Sequence, residues 1–290
     1  MRRFLYISRR FGLTPHKQIE FIKYYIFLLK KNNVKGTFFI PATMLSSYSG
    51  QINRIEAENI EWGIHSDIHT DLTMLEKESQ RKHIDNAISI FDKHKIPFKG
   101  FRAPYMRIDN SLLEAVCRQK RFLYDSSNSV ICDEVYQDTH LSYDWARSFY
   151  SPQLHSQKRA FPAIIKQLVQ IPVTLPDDDM LVDRDRLDPD SILKIWRRIL
   201  KRYYENKEVF VLQLHPERIF YLGTALDSLI REAKSFEPPI WIATLGEVAE
   251  WRRESGLEER WPAPYKSALC ITGDIDMLTI TDFLDRLRKW

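Results

Sequence analysis

Four short apolar runs of this 290-residue chain end in side chains suited to acid–base or metal chemistry. His65 follows Trp62-Gly63-Ile64, Arg102 follows Gly100-Phe101, His215 follows Val209 to Leu214, and Asp274 comes just after Ala268 to Ile271. Each run has the length and the aliphatic or aromatic content of a buried strand. Between the runs lie segments with apolar residues at helical spacing, such as Phe21, Ile22, Tyr25, Ile26 and Leu29. Alternating strands and amphipathic helices favour an α/β layer or barrel over a bundle or sandwich. In α/β barrels the C-terminal strand ends share one face, so the four groups are expected to meet.

Local signals refine the element order. Thr14-Pro15 reads as an N-cap and first-turn proline, and Lys30-Lys31-Asn32 ends that helix. Thr37 to Ile40 reads as a buried strand stopped by Pro41. Thr73-x-x-Glu76 and Ser111-x-x-Glu114 have the pattern of capping boxes, the first opening a helix to about His94. Phe122-Leu123-Tyr124 leads as a strand into Asp125, and Ile171-Pro172-Val173 reads as another. A helix is expected from about Ser191 to Tyr204, a strand at Ile240-Trp241-Ile242, and a surface connector from Glu254 to Pro264. Ile280, Phe283, Leu284 and Leu287 give a last helical pattern. One domain over 1–290 is expected, without internal repeats.

Composition narrows the partners. With 44% hydrophobic and 28% charged residues the chain can bury a large core. Its 43 basic and 39 acidic residues leave a dispersed formal charge of +4, which makes no case for nucleic acid. No apolar run approaches the length needed to cross a membrane, so no transmembrane segment is expected, while peripheral membrane contact stays open. Met1 to Arg10 is basic but has too short an apolar run for a signal peptide, and is read as uncleaved. Cys117, Cys132 and Cys270 form no Cys-x-x-Cys pair, as for buried thiols in a reducing compartment; a cytoplasmic protein is expected.

His65 and His69 are four residues apart, which on a helical turn would bring both imidazoles to one metal ion. The run His65-Ser66-Asp67-Ile68-His69, with Arg102-Ala103-Pro104-Tyr105 and the preceding Thr37-Phe38-Phe39, resembles the polysaccharide deacetylase family, the NodB-homology fold of carbohydrate esterase family 4. The likeness spans about residues 15–250 and implies an irregular (β/α) barrel. In that family an Asp-rich motif precedes the Thr-Phe-Phe strand, yet residues 1–36 of this chain contain no aspartate. Thr272-Gly273-Asp274-Ile275-Asp276 is the candidate replacement. A circular permutation is therefore expected, with the first barrel strand supplied by about residues 265–290.

The resemblance implies a metal-dependent hydrolase that removes N-acetyl groups from an amino sugar of a polysaccharide or glycan precursor. Asp276, His65 and His69 would bind a divalent metal, with zinc the expected ion. Asp274 would be the general base, oriented by Arg102, and His215 the general acid. The Tyr105 backbone N–H would hold the oxyanion. Asp125 and Gln213 would line the substrate site.

Two departures from the family pattern matter. Asp125-Ser126-Ser127-Asn128 lacks the second aspartate of the usual fourth motif, so the partner of His215 is open. Asp177, Asp178 or Asp179 could supply that charge if their loop folds over the site. Gln213 stands where the family places a leucine against the acetyl methyl, which opens the identity of the acyl group. His16, His83, His94, His140 and His155 are read as surface or locally bonded histidines, and Trp145, Trp196, Trp241, Trp251 and Trp261 as core or rim aromatics. Two alternatives stand beside the deacetylase reading. One is hydrolysis of another non-peptide carbon–nitrogen amide bond; the other is a catalytically silent glycan-binding protein.

Overall fold

The apolar runs become strands of one curled sheet with helices packed outside it. The computed structural model describes residues 11–55, 58–137, 140–256, 260–282 and 284. Its strands are β1 (Gly36–Ile40), β2 (Ile60–Ile64), β3 (Gly100–Phe101), β4 (Tyr124–Asp125), β5 (Ser129–Ile131), β6 (Gln153–Leu154), β7 (Ala163–Ile165), β8 (Leu168–Gln170), β9 (Val173–Leu175), β10 (Val209–Leu214), β11 (Ile240–Ile242) and β12 (Ser267–Asp274). The main sheet runs β10-β12-β1-β2-β3-β4-β8-β7, with β11 pairing the first half of β12. All its ladders are parallel except the β7–β8 hairpin. A second ladder, β6-β5-β9, brings β9 beside β10, where Thr174 Oγ1 accepts the Val211 N–H at 3.2 Å. The result is an irregular α/β half-barrel.

The C-terminal strand β12 is central, lying between β10 and β1. Two glycines make this packing possible. Phe38 lies in register with Gly273 of β12, and Phe39 with Gly63 of β2. A Cβ on Gly273 would come 2.3 Å from the Phe38 ring, and one on Gly63 2.5 Å from the Phe39 ring. Each missing side chain gives a phenylalanine its place, and burial of each ring contributes roughly 1.5–3 kcal/mol. Successive β1 side chains alternate faces, so Phe38 meets Tyr25 while Phe39 meets Arg102 and Tyr124 inside.

Several boundaries differ from the sequence reading for identifiable reasons. The first helix is His16–Lys31 with Pro15 at its N-cap position and no side-chain cap. Neither expected capping box forms. Asp71 caps the turn that holds Thr73, and the following helix starts at Lys77. Asp109 caps the helix Asn110–Arg118 by accepting the Leu112 N–H at 2.7 Å. An upstream aspartate thus caps the turn in the first case and the helix in the second, while the helix Lys77–Lys93 has no side-chain cap. The capping box that does form is Thr244 with Glu247. Pro172 has no N–H to continue a ladder, so Ile171 and Pro172 fall between β8 and β9, which lie in different sheets, and only Val173 of the expected strand is in one. The connector before Pro264 is anchored by Trp261, which stacks on Trp251 at 4.6 Å.

The last helical pattern begins as read, since residues 280–282 are helical, but Phe283 and Leu287 lie outside the described residues. Met1 to Arg10 lie outside them as well. Among the described residues no helix is long and apolar enough to cross a membrane.

Candidate active site

Thr272, Asp274 and Asp276 occupy alternate positions on and just beyond β12, which sends them to the same face. Arg102, just past β3, reaches that face from across the barrel and is fully buried. Its Nη1 donates to Asp274 Oδ1 at 2.7 Å and to Thr272 Oγ1 at 2.9 Å. Its Nε donates to the Ser126 carbonyl and its Nη2 to Ser126 Oγ, both at 3.0 Å. The guanidinium lies 4.3 Å from the Phe39 ring centre. Gln213 Nε2 holds the other oxygen of Asp274 at 2.8 Å. A buried ion pair is tolerable when its hydrogen bonds are this complete.

His65 and His69 meet by a different route from the one their spacing suggested. Residues 65–71 are irregular rather than helical, and Ser66 sits at a left-handed φ of 66°. The loop is tied down from below: the Ser66 and Asp67 carbonyls accept the Ala42 and Thr43 N–H groups at 3.0 and 2.8 Å. These donors open the helix Ala42–Ser47, which has no side-chain cap. His65 Nδ1 lies 2.7 Å from the Arg102 carbonyl, so Nδ1 carries the proton and Nε2 keeps its lone pair. Burial lowers the His65 pKa to about 4, keeping the ring neutral.

Asp276 closes this group. Its Oδ1 is 3.7 Å from His65 Nε2 and 3.1 Å from His69 Nε2. Burial alone would raise its pKa, but His69 and His215 hold it well below the usual carboxylate range. Among the described residues, His65, His69 and Asp276 form a group whose ligand atoms all lie within 4.8 Å of one another. His65 Nε2 and Asp276 Oδ1 are buried without a hydrogen-bond partner there. Two imidazoles and a carboxylate converging in this way fit a divalent cation.

His215 follows β10 and is held by Asp178. Asp178 Oδ1 lies 2.8 Å from His215 Nδ1, while Oδ2 accepts the His215 N–H at 2.7 Å. Burial by itself would lower the His215 pKa, but Asp178 and Asp276 raise it well above the ordinary histidine value. The buried Arg218 donates to Asp178 at 3.1 Å and to Asp179 at 2.9 Å, and also pairs with Asp183. Of the three aspartates open as partners to His215, Asp178 is the one in contact. Arg218 was missed, although its place three residues after His215 was a visible signal.

These groups line a cavity of about 180 Å³ with Tyr105, Met106, Trp145, Phe149, Tyr150, Asp179, Arg184 and Gln213. Tyr105 and Met106 have φ of 60° and 51°, two consecutive left-handed residues costing of order 1–3 kcal/mol each. Such strain persists only where surroundings impose it. Here Arg107 pairs with Asp71 at 2.7 Å, joining the Tyr105 turn to the His69 loop. The Tyr105 ring packs edge-on to His69 at 4.7 Å.

Trp145 and Phe149, stacked at 4.8 Å, form the aromatic wall, so Trp145 is a rim residue as one reading allowed. Asp125 is not in the wall. It lies behind it, accepting from Ser127 Oγ at 2.5 Å, while Ser127 Oγ accepts the Ala103 N–H at 2.8 Å. Burial raises the Asp125 pKa to about 6. Two histidines given local roles have charged partners: His83 pairs with Asp67, and His155 lies between Glu134 and Glu208.

Comparison with known proteins finds similarity to deacetylases. The polysaccharide deacetylase family profile matches residues 17–120, which carry His65, His69 and Arg102. A peptidoglycan deacetylase-like protein of Gibberella zeae is 25% identical over 251 residues, covering 79% of this chain and 72% of the relative. A crystal structure of a candidate polysaccharide deacetylase from Mycobacterium smegmatis superposes with a TM-score of 0.63 at 19% identity, covering 86% of this chain and 81% of that one. The chain is thus similar to polysaccharide deacetylases in sequence over residues 17–120 and in fold. The Puue allantoinase shares the deacetylase barrel, with a TM-score of 0.64 at 18% identity over 82% of this chain and 74% of its own. The deacetylase profile stops well before His215 and Asp274, so those two residues rest on the geometry.

Proposed function

We propose that this protein is a metal-dependent deacetylase that removes N-acyl groups from an amino sugar of a polysaccharide or glycan precursor. The observation that carries the reading is the meeting of three held units in one cavity. These are the clustered His65, His69 and Asp276 group, the Arg102-bound Asp274, and the Asp178-bound His215. On this reading β12 is the family's first strand moved to the C-terminus, a circular permutation supported by its position beside β1.

A divalent cation, zinc by its donor set, would be held by His65, His69 and Asp276 and would polarise the acyl carbonyl. The remaining work falls to the chain. Asp274 takes the proton of the attacking water, its carboxylate fixed by Arg102 and Gln213. The Tyr105 N–H receives the developing negative charge on the acyl oxygen. His215, kept protonated by Asp178, delivers a proton to the departing nitrogen. The aromatic wall of Trp145 and Phe149 receives the sugar ring. Three buried free thiols favour a reducing compartment, so the cytoplasm is part of the proposal.

The test is metal content by elemental analysis in the wild type and Asp276→Ala, with folding followed by circular dichroism, alongside amine release from N-acylated sugars. Near-stoichiometric zinc in the wild type that drops sharply in the folded variant is expected. Equal metal in both proteins, or none in either after zinc loading, sinks the proposal.

A further inference from the structure

Three polar atoms of residues around the cavity are buried without a hydrogen-bond partner among the described residues: His65 Nε2, Asp276 Oδ1 and Gln213 Oε1. A cation accounts for the first two. The third calls for different chemistry. Gln213 is 3% exposed and its amide has one sensible orientation, because Nε2 donates to Asp274 Oδ2 at 2.8 Å. Turning the amide over would set its oxygen against a carboxylate oxygen. Oε1 can only accept, so the group that completes it must be an O–H or N–H donor.

The position of Gln213 indicates which part of a substrate that is. The same amide holds Asp274, the carboxylate read above as the base for the attacking water. Oε1 therefore belongs to the acyl end of the site, while the aromatic wall of Trp145 and Phe149 lies with the sugar. A plain acetyl group would offer a methyl to this oxygen and leave it unpaired. A site with a buried polar group rejects an analogue that lacks its partner.

We propose that Gln213 selects an acyl group bearing a hydrogen-bond donor, such as hydroxyacetyl or carbamoyl, in preference to acetyl. This rests on the deacylase reading and adds its acyl specificity. In the reaction the water oxygen bonds to the acyl carbon and the carbon–nitrogen bond breaks. The nitrogen keeps the electron pair and takes a proton, leaving the free amino sugar and hydroxyacetate, or carbamate from the carbamoyl substrate.

The experiment uses the full zinc-loaded chain and its Gln213→Met and Gln213→Leu variants on glucosamine oligomers carrying N-acetyl, N-hydroxyacetyl or N-carbamoyl groups. The readout is the ratio of kcat/KM between acyl groups within each protein, which cancels any effect of Gln213 on Asp274. The wild type is expected to favour a donor-bearing group about tenfold or more, and both variants to lose or reverse that margin. Wild-type preference for acetyl, or the same ratio in all three proteins, overturns the inference while leaving a deacylase.

Binding of the free acids gives a readout independent of turnover. Hydroxyacetate should bind the wild type about tenfold tighter than acetate by calorimetry, and the margin should vanish in Gln213→Met. Equal affinities overturn the inference. A retained margin with no turnover of any acylated sugar would instead sink the deacylase reading and leave Gln213 as a reader of small hydroxy acids.

Discussion

Replacing Arg102 with methionine keeps most of the stem packed on Phe39 but deletes every donor that holds Asp274 from that side. Asp274 is 2% exposed, so its carboxylate would stay buried with Gln213 as its remaining side-chain donor in the described network. Breaking one partner from a buried pair costs about 3–5 kcal/mol. The upper part of that range is expected, because Ser126 and Thr272 lose the same guanidinium. At about 2–4 °C per kcal/mol for a chain approaching this size, Arg102→Met should lower Tm by roughly 8–20 °C. Removing the stranded charge as well should undo part of the loss. Arg102→Met with Asp274→Asn is therefore expected to be more stable than Arg102→Met alone, with a coupling energy of about 2 kcal/mol. Urea denaturation of the four proteins of this cycle, each stripped of metal, measures it. Losses that add within about 0.5 kcal/mol would refute the claim that Arg102 chiefly neutralises and holds Asp274.

Three further outcomes follow from the same geometry. Asp178→Asn removes a carboxylate that raises the His215 pKa, so the alkaline limb of kcat/KM should move to lower pH and kcat should fall about 100-fold; an unmoved limb contradicts the assignment of His215 as acid. His83→Ala releases Asp67, which lies between His65 and His69 in the sequence, and on the proposed function should weaken zinc binding about 10–100-fold in a competition titration, whereas unchanged affinity would make the pair incidental. Burial lowers the His155 pKa, but Glu208 and Glu134 outweigh it and raise the pKa above the ordinary value. Its contribution to stability is thus complete below an unfolded pKa of about 6.5 and is lost as pH rises through the folded value. His155→Gln should accordingly destabilise more at pH 6 than at pH 9 in denaturant titrations, and an equal loss at both would count against this.

How legible these features were depends on the range of the interaction. The strands β10 and β11 were readable to the residue because short, mostly apolar, β-branched or aromatic runs preceded by a charged residue or a proline mark a strand locally. Helix starts were misread because Asp71 and Asp109, each two residues upstream of the expected cap, accept the Thr73 and Leu112 N–H groups instead. The His65 and His69 pairing was readable, yet its structural basis was not. Their common direction comes from a left-handed Ser66 and from carbonyls held by Ala42 and Thr43, contacts that no spacing rule encodes. Asp178 could be named only as one of three aspartates, because choosing among them requires knowing how the loop after β9 approaches His215. Arg218 was missed for the same reason despite its place three residues after His215, and Trp145 could be read only as core or rim.

The position of β12 shows why residues at opposite ends of a chain can still be read together. Parallel strand pairing does not depend on chain order, provided a strand's side chains fit its neighbours. Here the fit is carried by matched pairs: Gly273 makes room for Phe38, and Thr272 and Asp274 share one guanidinium nitrogen of Arg102. Both sides of each pair are needed, since a glycine in a strand is a weakness without the ring that covers it. The Thr-Phe-Phe run near residue 38 therefore already implies a partner strand with a glycine in register, followed by an acidic residue on the interior face. That requirement is met more than 230 residues later, by Gly273 and Asp274 rather than by anything preceding β1 among the described residues.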